Sequence, residues 1–116
     1  LSVKHIIRNV YYHFAEKTLS ENKAVVPCYA AIASVQISPE GDVWQCSTKG
    51  AVLGSLRESD YEFKKIIFSK KADMIRKRIK EDKCFCIQCN SFYTSLICNP
   101  SAFAEYLSTK TLRPEC

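Results

Sequence analysis

Cysteine is the residue type through which this chain can do chemistry. Seven occur in 116 residues: Cys28 and Cys46 flank Gly41, Cys84, Cys86, Cys89 and Cys98 follow as a group, and Cys116 ends the sequence. Thiolate sulfur is a soft donor, and thiolates that converge select zinc or iron–sulfur clusters. CxxC at Cys86 and Cys89 is the spacing at which one turn presents two sulfurs to one centre, leaving nearby backbone amides free to donate toward sulfur. Cys84 lies one residue further out and competes for a place. Cys98 or Cys116 alone reads equally well as a small buried hydrophobe. Disulfides fit poorly, because the count is odd, no export signal is visible, and CxC and CxxC are too tight to pair with themselves.

These thiols need elements to carry them. Apolar residues at Ile6, Ile7, Val10, Tyr11, Phe14 and Leu19 recur at helical spacing, so an amphipathic helix is expected from Val3 to about Ser20. His5 and His13 lie on or near it and read as ordinary helix residues. After Pro27 the period changes to two: Ala31, Ala33, Val35 and Ile37 alternate with Ile32, Ser34, Gln36 and Ser38, as in a strand. Ser38-Pro39-Glu40-Gly41 is a turn, in which Pro39 presets φ and Gly41 accepts a positive one. Asp42 to Cys46 returns as the partner strand, so the hairpin brings Cys28 and Cys46 toward one end. Trp44 is expected to cover its apolar face.

Ser47 to Ser59 reads as a connecting loop. The Ser59-Asp60-Tyr61-Glu62 spacing predicts a capping box and a helix burying Phe63, Ile66 and Ile67. Ser69 can cap a second helix with Ala72, Ile75 and Ile79 inward and Lys70, Lys71, Arg76, Lys77, Arg78 and Lys80 around the remainder. That basic run is a solvated face, or a field turned toward an anionic cluster, an acidic peptide or a nucleic acid. Lys83 to Asn90 is irregular and cannot bury its backbone cheaply without a partner, which a metal centre supplies. Asn99-Pro100-Ser101 starts a last helix with Phe103, Tyr106 and Leu107 on its inner side.

Composition bounds the rest. Hydrophobic residues at 47% suffice for one small core, and no apolar run approaches the roughly 20 residues of a membrane span. The expectation is a soluble, cytoplasmic α+β protein: a small β-hairpin followed by helices around a cysteine-ligated metal cluster, with an N-terminal amphipathic helix. It opens at Leu1 rather than Met, which suggests a piece of a longer polypeptide. No Ser/His or Cys/His hydrolase motif is present. A zinc module that uses the same sulfurs to recognise nucleic acid or protein is the competing class. Against nucleic acid, the aromatics are not interleaved with the basic run and the net charge of +5 is modest.

Cys28, twelve residues to Gly41, four more to Cys46, and a cysteine group after a charged helix together resemble the SPASM domain, found at the C-terminus of many radical SAM enzymes. Residues 27–46, the Leu53-Gly54-Ser55-Leu56-Arg57-Glu58 segment and residues 84–100 carry the likeness, which covers about residues 25–116. Residues 1–24 would then be the end of a radical SAM catalytic domain, or a linker to it. The resemblance implies one four-iron four-sulfur cluster, or two. The seven cysteines group as two, four and one, as in two-cluster members, but the gaps inside the four are one, two and eight residues, which departs from the family's spacing. A one-cluster relative held by Cys28, Cys46, Cys86 and Cys89 fits at least as well, with Cys84 and Cys98 the remaining candidate ligands. The implied role is electron transfer or substrate anchoring during peptide or protein modification. S-adenosylmethionine would be bound only by the catalytic domain, since the CxxxCxxC signature of the SAM-cleaving cluster is absent from this chain.

Overall fold

The computed structural model describes residues 2–111, and Cys116 lies outside them. The chain is α+β, with a three-stranded antiparallel sheet between helices. Its elements are α1 (Val3–Glu21), β1 (Gln36–Ile37), β2 (Asp42–Trp44), β3 (Val52–Ser55), α2 (Phe63–Ile67), α3 (Lys70–Glu81), α4 (Cys89–Ile97) and α5 (Pro100–Thr111).

Two cores form rather than one. In the first, α1, α4 and α5 close on Val10, Tyr11, Phe14, Phe92, Leu96 and Tyr106. In the second, the sheet packs under α2 and α3 through Val43, Leu53, Ile66, Ala72, Ile75 and Ile79. The radius of gyration, 16.4 Å, exceeds the about 13 Å expected of a compact chain of this length, as two side-by-side cores require. The first helix therefore belongs with the last two, and Lys17 and Glu105 tie α1 to α5 by an ion pair.

Several sequence expectations meet their elements. The turn forms as read: Gly41 sits at φ 93° and its N–H donates to the Ser38 carbonyl at 2.9 Å. Ser69 caps α3 by accepting from the Ala72 N–H at 3.1 Å, and Ala72, Ile75 and Ile79 face inward. Pro100 opens α5, where a missing N–H costs nothing.

Other expectations are corrected. The alternating run from Ala31 is not a strand until Gln36, because residues 29–34 fold into a tight turn with Ala31 left-handed at φ 63°. Ala30, Ala31 and Ala33 lack the branched side chains that favour extended backbone. The segment read as a loop holds β3, whose Val43↔Gly54 pairing completes the sheet. Gly54 is needed there: a Cβ would stand 3.1 Å from Ile66 Cγ2, so its absence lets α2 approach. Ser59 does not cap; its hydroxyl donates to the Leu56 carbonyl and α2 starts four residues later, at Phe63. Phe63, Leu19 and Leu107 are exposed rather than inward. Helix α4 begins inside the cysteine group itself.

Candidate metal centre

Cys28 enters the sheet lobe just ahead of the 29–34 turn. That turn is held from two sides: the Tyr29 N–H donates to Ser95 Oγ on α4 at 3.1 Å, and Arg76 Nε on α3 donates to the Ala31 carbonyl at 2.8 Å. The Ala30 N–H is turned onto the Cys28 sulfur, which favours the thiolate, while burial pushes the thiol upward more strongly. Cys46 is buried at the end of β2, and its Sγ accepts the Lys49 N–H at 3.3 Å across the next turn.

The second set of sulfurs arrives on the segment after α3. Lys83 is left-handed at φ 46° and reverses the chain, and the Cys84 N–H closes on the Ile79 carbonyl at 3.2 Å. Two outside contacts then hold the run from Phe85 to Gln88. Tyr11 on α1 donates to the Ile87 carbonyl at 2.8 Å, and Gln88 Nε2 donates to Ser47 Oγ at 3.1 Å. Cys28, Cys84 and Cys86 line one crevice between the two cores. Cys46 belongs to the core of the sheet lobe, and Cys28 and Cys84 pack against that core. Burial pushes the Cys84 thiol up, opposed by the Lys49 ammonium, and the nearby Cys86 and Cys46 add to the rise.

Cys89 and Cys98 do not line that crevice. Cys89 is exposed at the start of α4 with its Sγ 3.4 Å from the Tyr11 hydroxyl, a contact that pushes Tyr11 up to about 12. Cys98 is exposed at the C-terminal end of α4. Of the candidate ligands, Cys28, Cys84 and Cys86 thus share a crevice, and Cys46 packs with Cys28 and Cys84 at the sheet core.

Among the described residues, no three His, Cys, Asp or Glu side chains converge closely enough to hold one ion. A tetrahedral zinc at about 2.3 Å from each sulfur needs that convergence. An iron–sulfur cube does not, since its four thiolates bind four separate irons. Soft donors at one locus between two cores, with amides turned onto Cys28 and Cys46, fit such a group.

Three positioning residues escaped the sequence reading. Arg76 looked like one more cation on a basic face, and its Asp73 partner three residues earlier says nothing of the Ala31 carbonyl. Tyr11 looked like core, and Ser95 carried no signal at all.

Half-buried and buried thiols gathered at the seam of two lobes, two of them accepting backbone amides, have the chemistry of a cluster-binding domain. Residues 28–90 match the SPASM iron-sulfur cluster-binding domain, over more than half of the chain, and the chain belongs to that family. It matches no curated protein and no solved structure. No helix among the described residues is long and apolar enough to cross a membrane.

Proposed function

We propose that this chain is the auxiliary cluster-binding domain of a radical SAM enzyme, holding one four-iron four-sulfur cluster through Cys28, Cys46, Cys84 and Cys86. The observation that supports the reading is the crevice shared by Cys28, Cys84 and Cys86, with Cys28 and Cys84 packed against the core that contains Cys46. Cys84 takes the place that spacing alone gave to Cys89, because the Cys89 sulfur is engaged by Tyr11. When bound, the cluster supplies one-electron transfer or an anchoring point for substrate.

The chain's own contribution is to hold and tune. The Ala30 and Lys49 amides donate toward Cys28 and Cys46 and stabilise negative charge on sulfur. Lys49 sets a positive charge near Cys84. Cys28 is half-buried against the sheet core, which reduces the water that reaches its sulfur. The partner is a radical SAM catalytic domain in the same polypeptide, and the substrate is a peptide or protein.

Anaerobic purification followed by an absorption spectrum and iron analysis tests this. A broad charge-transfer band with about four irons per chain is the expected result. A colourless protein with stoichiometric zinc would replace it with the zinc module.

A further inference from the structure

A second cavity, of about 350 Å³, opens beside Cys84 between the β2–β3 turn and the last turn of α3. Its volume lies at the lower end of small-ligand sites. Lys49 comes to it from the turn, and Arg78 and Lys83 from the end of α3 and the residues after it. All three are exposed, and none is ion-paired with a carboxylate among the described residues, whereas Lys17, Lys65, Arg76 and Lys77 each are. Asp82 is the one acid on the wall, so three cations face one anion.

Arg78 and Lys83 also offset the negative end of the α3 dipole. That accounts for neither Lys49, which belongs to another element, nor Gln45. Gln45 lines the cavity; its backbone N–H is engaged by the Ala51 carbonyl at 2.8 Å, and its carboxamide, which makes no hydrogen bond with any described residue, is open to the cavity. The Gln45 carboxamide is therefore free to donate to a group that enters the cavity. Ile79 and Phe85 provide an apolar wall.

We propose that this cavity binds a carboxylate carried on an apolar stem, held by Lys49, Arg78 and Lys83 with Gln45 donating to it, next to the Cys84 sulfur. Charge-assisted pairing with a guanidinium suits a carboxylate, and the apolar wall suits the stem, which inorganic phosphate lacks. An acidic side chain of a peptide and a free dicarboxylic acid both supply this chemistry. The site deepens the function proposed above and has a redox consequence that rests on it. Negative charge beside a ligating sulfur disfavours the reduced cluster, so the ligand binds the oxidised form more tightly and lowers the potential reciprocally.

The test uses the full chain purified anaerobically. Calorimetry compares an acetylated, amidated Leu-Glu dipeptide with its Leu-Gln counterpart, glutarate and inorganic phosphate. The Glu peptide should bind at least about tenfold more tightly than the Gln peptide, as one charge-assisted contact supplies. Arg78→Gln with Lys83→Gln should abolish the preference, and Lys80→Gln, outside the cavity, should keep it. Glutarate equal to the peptide assigns a free acid as the source; weaker glutarate assigns a peptide side chain. Equal binding of the Glu and Gln peptides overturns the proposal, as does phosphate as tight as the Glu peptide. Redox titration is the second readout: a tenfold preference for the oxidised form lowers the potential by about 59 mV for one electron. A colourless chain that still prefers Glu sinks the function proposed above and leaves the cavity standing; a coloured chain without the preference does the reverse.

Discussion

The two lobes are built from different material. The helical lobe buries rings: Tyr11, Phe14, Phe92 and Tyr106, with Tyr11 stacked on Tyr93 at 4.6 Å and edge-on to Phe92 at 5.6 Å. The sheet lobe buries Ala30, Ala31, Ala72, Val43, Leu53 and three isoleucines, and no aromatic ring among its buried residues. Each aromatic side chain buries roughly 150–250 Å², far more than alanine can, so the helical lobe has the larger apolar driving force per residue. Short strands of two, three and four residues add little. The lobe that carries Cys28, Cys46 and Cys84 is thus the one that most needs an inorganic staple, as small domains with thin cores do.

The largest effect should come from removing the metal. With iron stripped by a chelator, amide exchange should rise by orders of magnitude across residues 28–88 and much less in α1 and α5, since ligand binding and folding are coupled where the core is weak. Equal protection loss in both lobes would mean that they unfold as one unit. Cys28→Ser with Cys46→Ser should abolish the charge-transfer band, and Cys84→Ser should weaken it severely. Cys98→Ser should leave it intact, and so should Cys89→Ser; loss of the band in Cys89→Ser would return Cys89 to the ligand set.

Loading should also depend on pH in a defined direction. Cys28 and Cys84 are pushed above the ordinary thiol value by burial, and iron binds the thiolate. Loading at limiting iron and sulfide should therefore improve from about pH 7 to about pH 9, as protons leave more easily. The unloaded fold behaves oppositely. Its preference for neutral thiols is a stabilising contribution fully present below the ordinary thiol value and lost as pH rises through the raised one. A flat loading profile would show these thiols to be unburied.

In the sheet lobe, Arg76 ties the 29–34 turn to α3. Arg76→Ala removes donors to the Ala31 and Ile67 carbonyls and the Asp73 pair, with the side chain 21% exposed. Bonds to a charged donor are each worth more than neutral ones, so a loss of about 2–3 kcal/mol is expected in urea unfolding, with loosened cluster retention. Gly54→Ala, which presses a methyl group onto Ile66, should cost about 1–3 kcal/mol on the same curve.

Legibility from the residues alone divides along the same line. Period-3.6 patterns with large side chains announced α1 and the inner face of α3, and Pro100 announced α5. Turn chemistry at Ser38–Gly41 was equally plain, because proline and glycine there restrict φ in specific ways. The sheet lobe was less legible. Alternation at Ala31–Ile37 imitates a strand, yet the turn there is held by Ser95 and by Arg76, both distant in sequence and the latter indistinguishable from its basic neighbours. β3 was hidden by Gly54, whose reason is a helix pressing on it from later in the chain. Cysteine spacing pointed to both groups of thiols as candidates, but the ground for proposing Cys84 over Cys89 was not legible in it, since that turns on a tyrosine 78 residues away.

That tyrosine gives the finest test of how the lobes are joined. The Tyr11 hydroxyl sits on the helical lobe and donates to the Ile87 carbonyl of the cysteine segment. Tyr11→Phe keeps the ring and its stacking on Tyr93 but leaves that carbonyl without its donor, so a loss of about 1 kcal/mol is expected. The pH dependence separates this bond from mere packing. Contact with Cys89, followed by burial, raises Tyr11 from 10.0 to about 12, so the folded state favours the neutral hydroxyl. Its contribution is fully present below the ordinary value and fades as pH climbs toward the raised one. The stability gap between the two proteins, measured by urea unfolding from about pH 8 to about pH 11, should hold steady and then narrow above about pH 10. A gap that stays constant over the whole range would assign Tyr11 to ring packing alone and leave the cysteine segment to be held by Gln88 and Ser47.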